Sequence, residues 1–242
     1  MRPALLHIHV PRASGSSFHG WLLRAMGEGS VAQAATADDI REVLARRHEP
    51  RRPAVVSGHF CYGVHEAIGD HPYRYLVLLR DPIQRVLSLF RYIRSLPTHG
   101  SHRFLCQPDM TIARFYDERM PGTGQRNAMV AQLAGILGTR TIPTEEHLEQ
   151  ACRNLLDRGT MFGLVEDPDP LLAKVAKHLR IEEPPPYPQV NSSPAQSGWG
   201  TSEEDLAAIA AANQLDVELY RRAVDRLRQP EASWLRRLLP WH

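Results

Sequence analysis

Lysine is nearly missing from this chain of 242 residues: Lys174 and Lys177 stand against 27 arginines. That bias fits a GC-rich genome as well as any chemistry, so it singles out no site. Cysteine is sparse too. Cys61, Cys106 and Cys152 lie far apart, odd in number and with no Cys-x-x-Cys pair, which argues against a disulfide framework or a zinc knuckle and for a reducing compartment. A large excess of one charge is also missing. The formal net charge of +2 is too small for the broad basic field of a non-specific nucleic-acid binder, so an anionic ligand must be held by local geometry. No stretch approaches the roughly 18–20 apolar residues of a membrane span. Met1 to Val10 holds one arginine and a short apolar run leading into a turn, unlike a signal peptide. The expectation is a cytoplasmic protein with no transmembrane segment and no nucleic-acid partner.

What the chain does have is a globular balance, 43% hydrophobic and 23% charged. Neither an internal repeat nor a low-complexity linker divides it, so a single domain over 1–242 is expected. Leu5 to Val10 is a short apolar, β-rich run ending at Pro11; small polar residues follow, then helical spacing from Phe18 to Met26. Thr36 to Arg46 reads as an amphipathic helix, Ala54 to Ser57 as a brief strand and Tyr73 to Leu79 as the clearest strand. Asp81-Pro82 supplies a cap and a first-turn proline for a helix to about Ser95. Further helices are expected at Met110 to Arg119, Gln125 to Leu137 and Glu145 to Asp157, a helical insert over about 100–160. A strand at Met161 to Val165, a helix at Pro168 to Leu179 and an irregular Pro-rich stretch from Ile181 to Gly200 follow. Ser202 and Asp205 form a capping box for one long helix to about Arg228, and Trp234 to Trp241 is an apolar and basic tail within the terminal region of about 202–242. Short strands alternating with helices predict an α/β fold with a central parallel sheet covered on both faces, whose ligands bind beyond the carboxyl ends of the strands.

Three strand-end loops therefore carry the interest. Arg12, Ala13, Ser14, Gly15, Ser16 and Ser17 follow the first strand and open a helix, where amides and hydroxyls can converge on a phosphate or sulfate and Arg12 supplies charge. The competing reading of this loop is a turn with a serine cap. His59, in Ser57-Gly58-His59-Phe60, is singled out among 12 histidines by its place at a strand end, where an imidazole can take a proton from an attacking alcohol. Arg80 ends the third strand, with Ser88 eight residues on in the following helix; together they can hold a terminal phosphate, or they can be a strand-end salt bridge and an ordinary helix serine.

Taken together the loops resemble a known family. His7-Ile-His-Val-Pro-Arg-Ala-Ser-Gly-Ser-Ser-Phe18 resembles the 5'-phosphosulfate loop, Pro-Lys-Thr-Gly-Gly/Ser-Thr-Ser-Phe, of carbohydrate sulfotransferases that use 3'-phosphoadenosine 5'-phosphosulfate (PAPS), the group that includes heparan sulfate 2-O-sulfotransferase. Leu79-Arg-Asp-Pro-Ile-Gln-Arg-Val-Leu-Ser-Leu-Phe-Arg-Tyr92 is similar to that family's 3'-phosphate motif, and Gly58-His-Phe60 falls where these enzymes carry their proposed base. Weaker likeness runs through Arg126-Asn127, Phe162 to Glu166, Val190 to Ser192 and Leu215 to Tyr220. The resemblance implies a P-loop-NTPase-like three-layer fold and sulfuryl transfer from PAPS to a hydroxyl of an acceptor, a carbohydrate by analogy, without a metal. It implies that Arg12 meets the bridging oxygen, Ala13 to Ser17 cradle the phosphosulfate, Arg80 and Ser88 bind the 3'-phosphate, and His59 is the base. Two departures stand out: arginine replaces lysine at Arg12, and Ala13-Ser14 replace threonine and glycine.

Two other function classes remain open at this point. A P-loop small-molecule kinase shares the strand, loop and helix, but the Walker pattern is missing and no strand-end aspartate is free for magnesium, Asp81 being better used as a cap. A non-catalytic nucleotide- or glycan-binding relative is compatible with the altered loop. For the acceptor, Arg91, Arg94, His99, His102 and Arg103 could face an anionic glycan, or be solvated helix charges.

Overall fold

Short, largely apolar runs buried on both faces build the centre of the sheet. The computed structural model describes residues 3–45, 53–70, 72–117, 126–188 and 201–229. Its strands are β1 Ala4–Ile8, β2 Val31–Gln33, β3 Val55–Gly58, β4 Tyr73–Leu79 and β5 Met161–Leu164. They form one sheet in the order β2-β3-β1-β4-β5, and every pair is parallel. β1 is central, with Ile8 opposite Gly58 on one side and Val77 on the other. Because neighbouring strands run the same way, the loops after β3, β1 and β4 leave side by side at one edge, where the three sequence motifs begin.

Alternate side chains feed two cores, as the period of two in a strand requires. Leu5, Leu76 and Leu78 pack under helices α1 (Gly15–Met26) and α8 (Asp169–Leu179) through Phe18, Trp21, Leu22, Leu171 and Val175. Leu6, Ile8, Val77 and Leu79 face the other way, against Ile40 of α2 (Ala37–Ala45), Val130 of α6 (Ala128–Leu133), Leu148 of α7 (Glu145–Cys152) and Leu219 of α10 (Gln214–Arg228). The result is the three-layer arrangement the sequence predicts. α3 (Pro82–Ser95) also packs on α4 (His102–Leu105), α5 (Ile112–Asp117) and α9 (Glu203–Ala212) around Phe90, Phe115 and Ile209.

Several boundaries differ from expectation. β4 and α3 occupy their predicted spans, and the Asp81 carboxylate caps α3 by accepting from the Gln84 amide at 2.9 Å. α1 starts at Gly15, three residues before Phe18, so the loop is tighter than anticipated. The edge strand β2 and the short α4 were not expected. The expected helix from Gln125 to Leu137 shrinks to α6. The long helix expected from Ser202 to Arg228 is two helices that break at Asn213, although its capping box is present. Asn213 is fully buried and its amide nitrogen donates to Ile209 O at 2.9 Å and Tyr116 Oη at 3.2 Å, side-chain bonds that compete with the helix ladder. The expected tail at Trp234 to Trp241 and the segment of weaker likeness at Val190 to Ser192 lie outside the described residues. Among the described residues no helix is long and apolar enough to cross a membrane.

Candidate active site

The loop after β1 is shaped for a ligand that approaches its backbone. Arg12 and Ser14 have φ of 68° and 62°, a left-handed conformation that L side chains rarely adopt and that costs about 1–3 kcal/mol each. Ser14 is the N-cap of α1, yet its side chain makes no capping hydrogen bond, so the serine-cap reading fails. The helical ladder begins with the Phe18 amide donating to Ser14 O at 2.9 Å, which leaves the amides of Gly15, Ser16 and Ser17 ahead of it at the positive end of the helix. Ala13 is buried, its amide turned back to Val10 O at 3.1 Å, and Ser17 is buried whereas Ser16 is exposed. Above the loop lies a Pro-rich strap. Trp21 donates to Pro185 O at 2.8 Å, Arg24 to Pro186 O at 3.2 Å, and Tyr187 reaches Ser14 O at 3.5 Å.

Arg12, Arg80 and Ser88, 76 residues apart at the extremes, meet here. Arg12 Nε donates to Ser88 Oγ at 3.1 Å, and Arg80 Nη1 donates to the Arg12 carbonyl at 3.0 Å. The Arg12 guanidinium also lies over the Tyr92 ring, 4.7 Å from its centroid. Every one of these partners is uncharged. Burial, and then the neighbouring Arg80, lower the pKa of Arg12; burial lowers that of Arg80, with Glu166 opposing. Among the described residues, the strand-end salt bridge read as an alternative for Arg80 is not formed. Two guanidiniums, three leading amides and a buried hydroxyl thus converge, with no carboxylate paired to either guanidinium among the described residues, an arrangement that fits a polyanion such as a sulfonucleotide.

His59 follows β3 and is exposed. Its Nδ1 is 2.8 Å from His9 O. A carbonyl only accepts, so Nδ1 carries the proton and Nε2 presents a lone pair. Gly58 before it admits no side chain: a Cβ would lie 1.9 Å from Ala34 O.

Sequence reasoning missed the residues that fix these loops in place. Glu166 accepts from the Asp81 amide at 3.1 Å and from Tyr220 Oη at 2.9 Å, tying the start of α3 to α10. Arg85 and Asp216 are both fully buried and 3.6 Å apart, and Asp216 also accepts from the Met129 and Val130 amides at 3.1 and 2.9 Å. Asn127 accepts from the Leu215 and Asp216 amides at 3.0 and 3.2 Å. Gln132, fully buried, donates to Phe60 O at 3.1 Å and His9 O at 3.3 Å. Of these, Asn127, Glu166, Asp216 and Tyr220 stand in the segments of weaker family likeness, a signal that marked them without giving them a role. His99 and His102, read as acceptor candidates, each use Nδ1 locally: His99 Nδ1 accepts from the Ser101 amide at 3.1 Å, and His102 Nδ1 is 3.0 Å from Ile93 O.

No protein-family model matches the chain. It is 26% identical to heparan-sulfate 6-O-sulfotransferase 1-B of Danio rerio over 182 residues, 64% of this chain and 44% of that protein. With heparan-sulfate 6-O-sulfotransferase 1-A of the same fish it shares 27% over 173 residues, 60% of this chain and 41% of the relative. The chain thus spans less than half the length of these curated relatives. Among solved structures, mouse sulfotransferase SULT7A1 complexed with PAP is 12% identical, with a TM-score of 0.46 over 96% of this chain and 69% of the other. At 26–27% identity, the sequence likeness is to two heparan-sulfate 6-O-sulfotransferases.

Proposed function

We propose that the chain is a sulfotransferase that moves a sulfuryl group from PAPS to a hydroxyl of a carbohydrate acceptor. The observation that carries this reading is the meeting of Arg12, Arg80 and Ser88 at the start of α1, with only uncharged partners among the described residues. PAPS supplies the activated sulfuryl group and is released as PAP. Gly15 to Ser17 would bind the phosphosulfate through their amides, with Ala13 and Ser14 shaping the turn, and Arg80 and Ser88 would bind the 3'-phosphate. Arg12 would offset the charge that builds on the departing phosphate oxygen. His59 Nε2 would take the proton from the acceptor hydroxyl as its oxygen bonds to sulfur and the bond from sulfur to the phosphate oxygen breaks. Transfer then rests on positioning and fixed charge. The carbohydrate acceptor rests on the sequence likeness to the heparan-sulfate enzymes, and the whole chain is taken as one domain serving this site.

Calorimetry with PAP, compared with AMP and with ATP plus magnesium, tests the reading. Binding that needs the 3'-phosphate and is lost in Arg80→Ala supports it. A preference for ATP with magnesium would overturn it in favour of a kinase.

A further inference from the structure

The His9 imidazole occupies a place that the reaction as described leaves without a task. It is half-buried on the loop side of β1, and its ring makes no hydrogen bond among the described residues. It stacks on the His59 ring with centroids 4.5 Å apart and planes 28° apart, and also meets the His7 ring at 5.7 Å and 14°. Its Nε2 edge fills the space where Gly15 would carry a side chain: a Cβ there would lie 1.8 Å from His9 Nε2 and 2.2 Å from Cδ2. One ring therefore touches both Gly15, the first residue of α1 within the anion loop, and the face of the candidate base. The backbone of the same residue completes the arrangement, because His9 O accepts from His59 Nδ1 and His9 N–H donates to Gly58 O at 2.8 Å.

We propose that His9 is a positioning residue: its ring is the spacer, wedged between Gly15 and His59, that sets the distance and angle between the phosphosulfate loop and the base. The inference rests on the sulfotransferase reading above. A spacer beside a base must stay uncharged when the base takes a proton, since two adjacent imidazolium ions repel. Burial first, then His59 and Arg12, hold the His9 pKa down at about 4, so it is neutral near pH 7. Its flanks restrain it as well. His7 is buried and bound to Ser57 Oγ at 2.9 Å, Gln132 donates to the His9 carbonyl at 3.3 Å, and His19, whose Nδ1 meets Gln33 Nε2 at 3.2 Å, is the remaining titratable group that acts on it. The absent side chain of Gly15 follows from the same packing: the loop needs glycine there because the spacer already fills the site.

The test is a set of four variants, His9→Ala, His9→Phe, Gly15→Ala and the double His9→Ala/Gly15→Ala, assayed by PAP affinity, by PAP release from PAPS with heparan sulfate as acceptor, and by thermal unfolding. His9→Ala should lower kcat by about 10- to 100-fold with PAP affinity within about threefold, as misplacement of a reacting group predicts. His9→Phe, a flat ring of similar thickness, should recover most of that kcat. Gly15→Ala should weaken PAP binding at least tenfold and lower Tm, and the double variant should regain both toward the level of His9→Ala, because the vacated space admits the Cβ. Unchanged kcat in His9→Ala, a His9→Phe as slow as His9→Ala, or additive Tm losses in the double variant would each overturn the spacer. A wild type that binds no PAP sinks the donor reading itself, whereas one that binds and turns over with His9→Ala unaffected sinks only the role of His9.

Discussion

Replacing Asp216 with asparagine should be among the most damaging changes available outside the loops. Arg85 lies three residues before Ser88 on α3, is wholly shielded from solvent, and none of its three guanidinium nitrogens makes a hydrogen bond among the described residues. Its compensation is the Asp216 carboxylate at 3.6 Å, itself fully buried and held by two amides at the start of α6. Burial pushes the Asp216 pKa up even with Arg85 and those amides opposing, so the pair has not recovered the full cost of desolvation. Removing the carboxylate charge strands a buried guanidinium, an effect worth about 3–5 kcal/mol, and weakens two charge-assisted hydrogen bonds as well. Against the 5–15 kcal/mol that usually holds a domain together, such a loss brings the chain close to unfolding.

The cycle that isolates this term adds Arg85→Met. Methionine matches the length of the arginine stem without its charge, and asparagine still offers one oxygen to the α6 amides, so Arg85→Met/Asp216→Asn should lie within about 2 kcal/mol of wild type while Asp216→Asn alone loses about 3–5. Urea unfolding followed by circular dichroism reads both, with unchanged m-values required for the comparison. A single variant that loses under about 1 kcal/mol, or a double variant as unstable as the two singles summed, would refute the claim that the charges compensate one another.

Three further outcomes follow from the site. His7 and His9 have pKa values lowered from 6.5 to about 3 and about 4, both by burial first, so the unfolded chain takes up protons that the folded one refuses. Stability is then complete above pH 6.5 and declines as pH falls toward those values; at pH 5 each ring should cost about 2 kcal/mol, and urea midpoints that stay level between pH 7.5 and pH 5 would contradict this. Ser14→Gly should stabilise the fold by about 0.5–1 kcal/mol, because Ser14 sits at φ 62° with no capping bond to lose, and a lower Tm would count against the strain argument. Ser88→Ala should weaken PAP binding about tenfold, roughly 1.4 kcal/mol, by leaving Arg12 Nε without its hydroxyl acceptor; calorimetry that finds wild-type affinity would remove Ser88 from the site.

The parts of this structure that could be read from sequence are those whose cause is local. Tyr73 to Leu79 is a seven-residue run bounded by His71-Pro72 and Arg80-Asp81, and Asp81-Pro82 carries both a cap and a fixed φ, so β4 and α3 fall where pattern alone puts them. β2 has three residues and takes its order from pairing with β3, which no periodicity announces. The break at Asn213 depends on Tyr116 and Asn127, residues 97 and 86 positions away. The site divides in the same manner. Strand-end position pointed to Arg12, His59, Arg80 and Ser88, but only the parallel order β3-β1-β4 explains why residues so distant in sequence come together. Arg85 lay in the quoted motif without a role, since sequence cannot tell which face of α3 turns toward Asp216.

The partners chosen for Arg12 and Arg80 bear on what the loop is for. A chain concerned with stability alone would set a carboxylate against each guanidinium; here the partners are a serine hydroxyl, a main-chain carbonyl and the face of a tyrosine, while Glu166, whose charge acts on Arg80, is engaged by the Asp81 amide and Tyr220. Neutral partners orient the two cations without cancelling them, at a cost in mutual repulsion and desolvation that the folded chain carries until an anion arrives. Ligand binding must then return that cost as stability. At a PAP concentration 100 times its Kd, linkage gives about 2.7 kcal/mol for one site, which should appear as a rise in Tm that Arg80→Ala abolishes. A stabilisation of equal size with inorganic phosphate at the same multiple of its own Kd is required by linkage and decides nothing; what identifies the ligand is the ratio of the two Kd values, and a ratio near one would mean that the converging charges recognise an isolated anion and not the spaced pair that a 3',5'-substituted nucleotide presents.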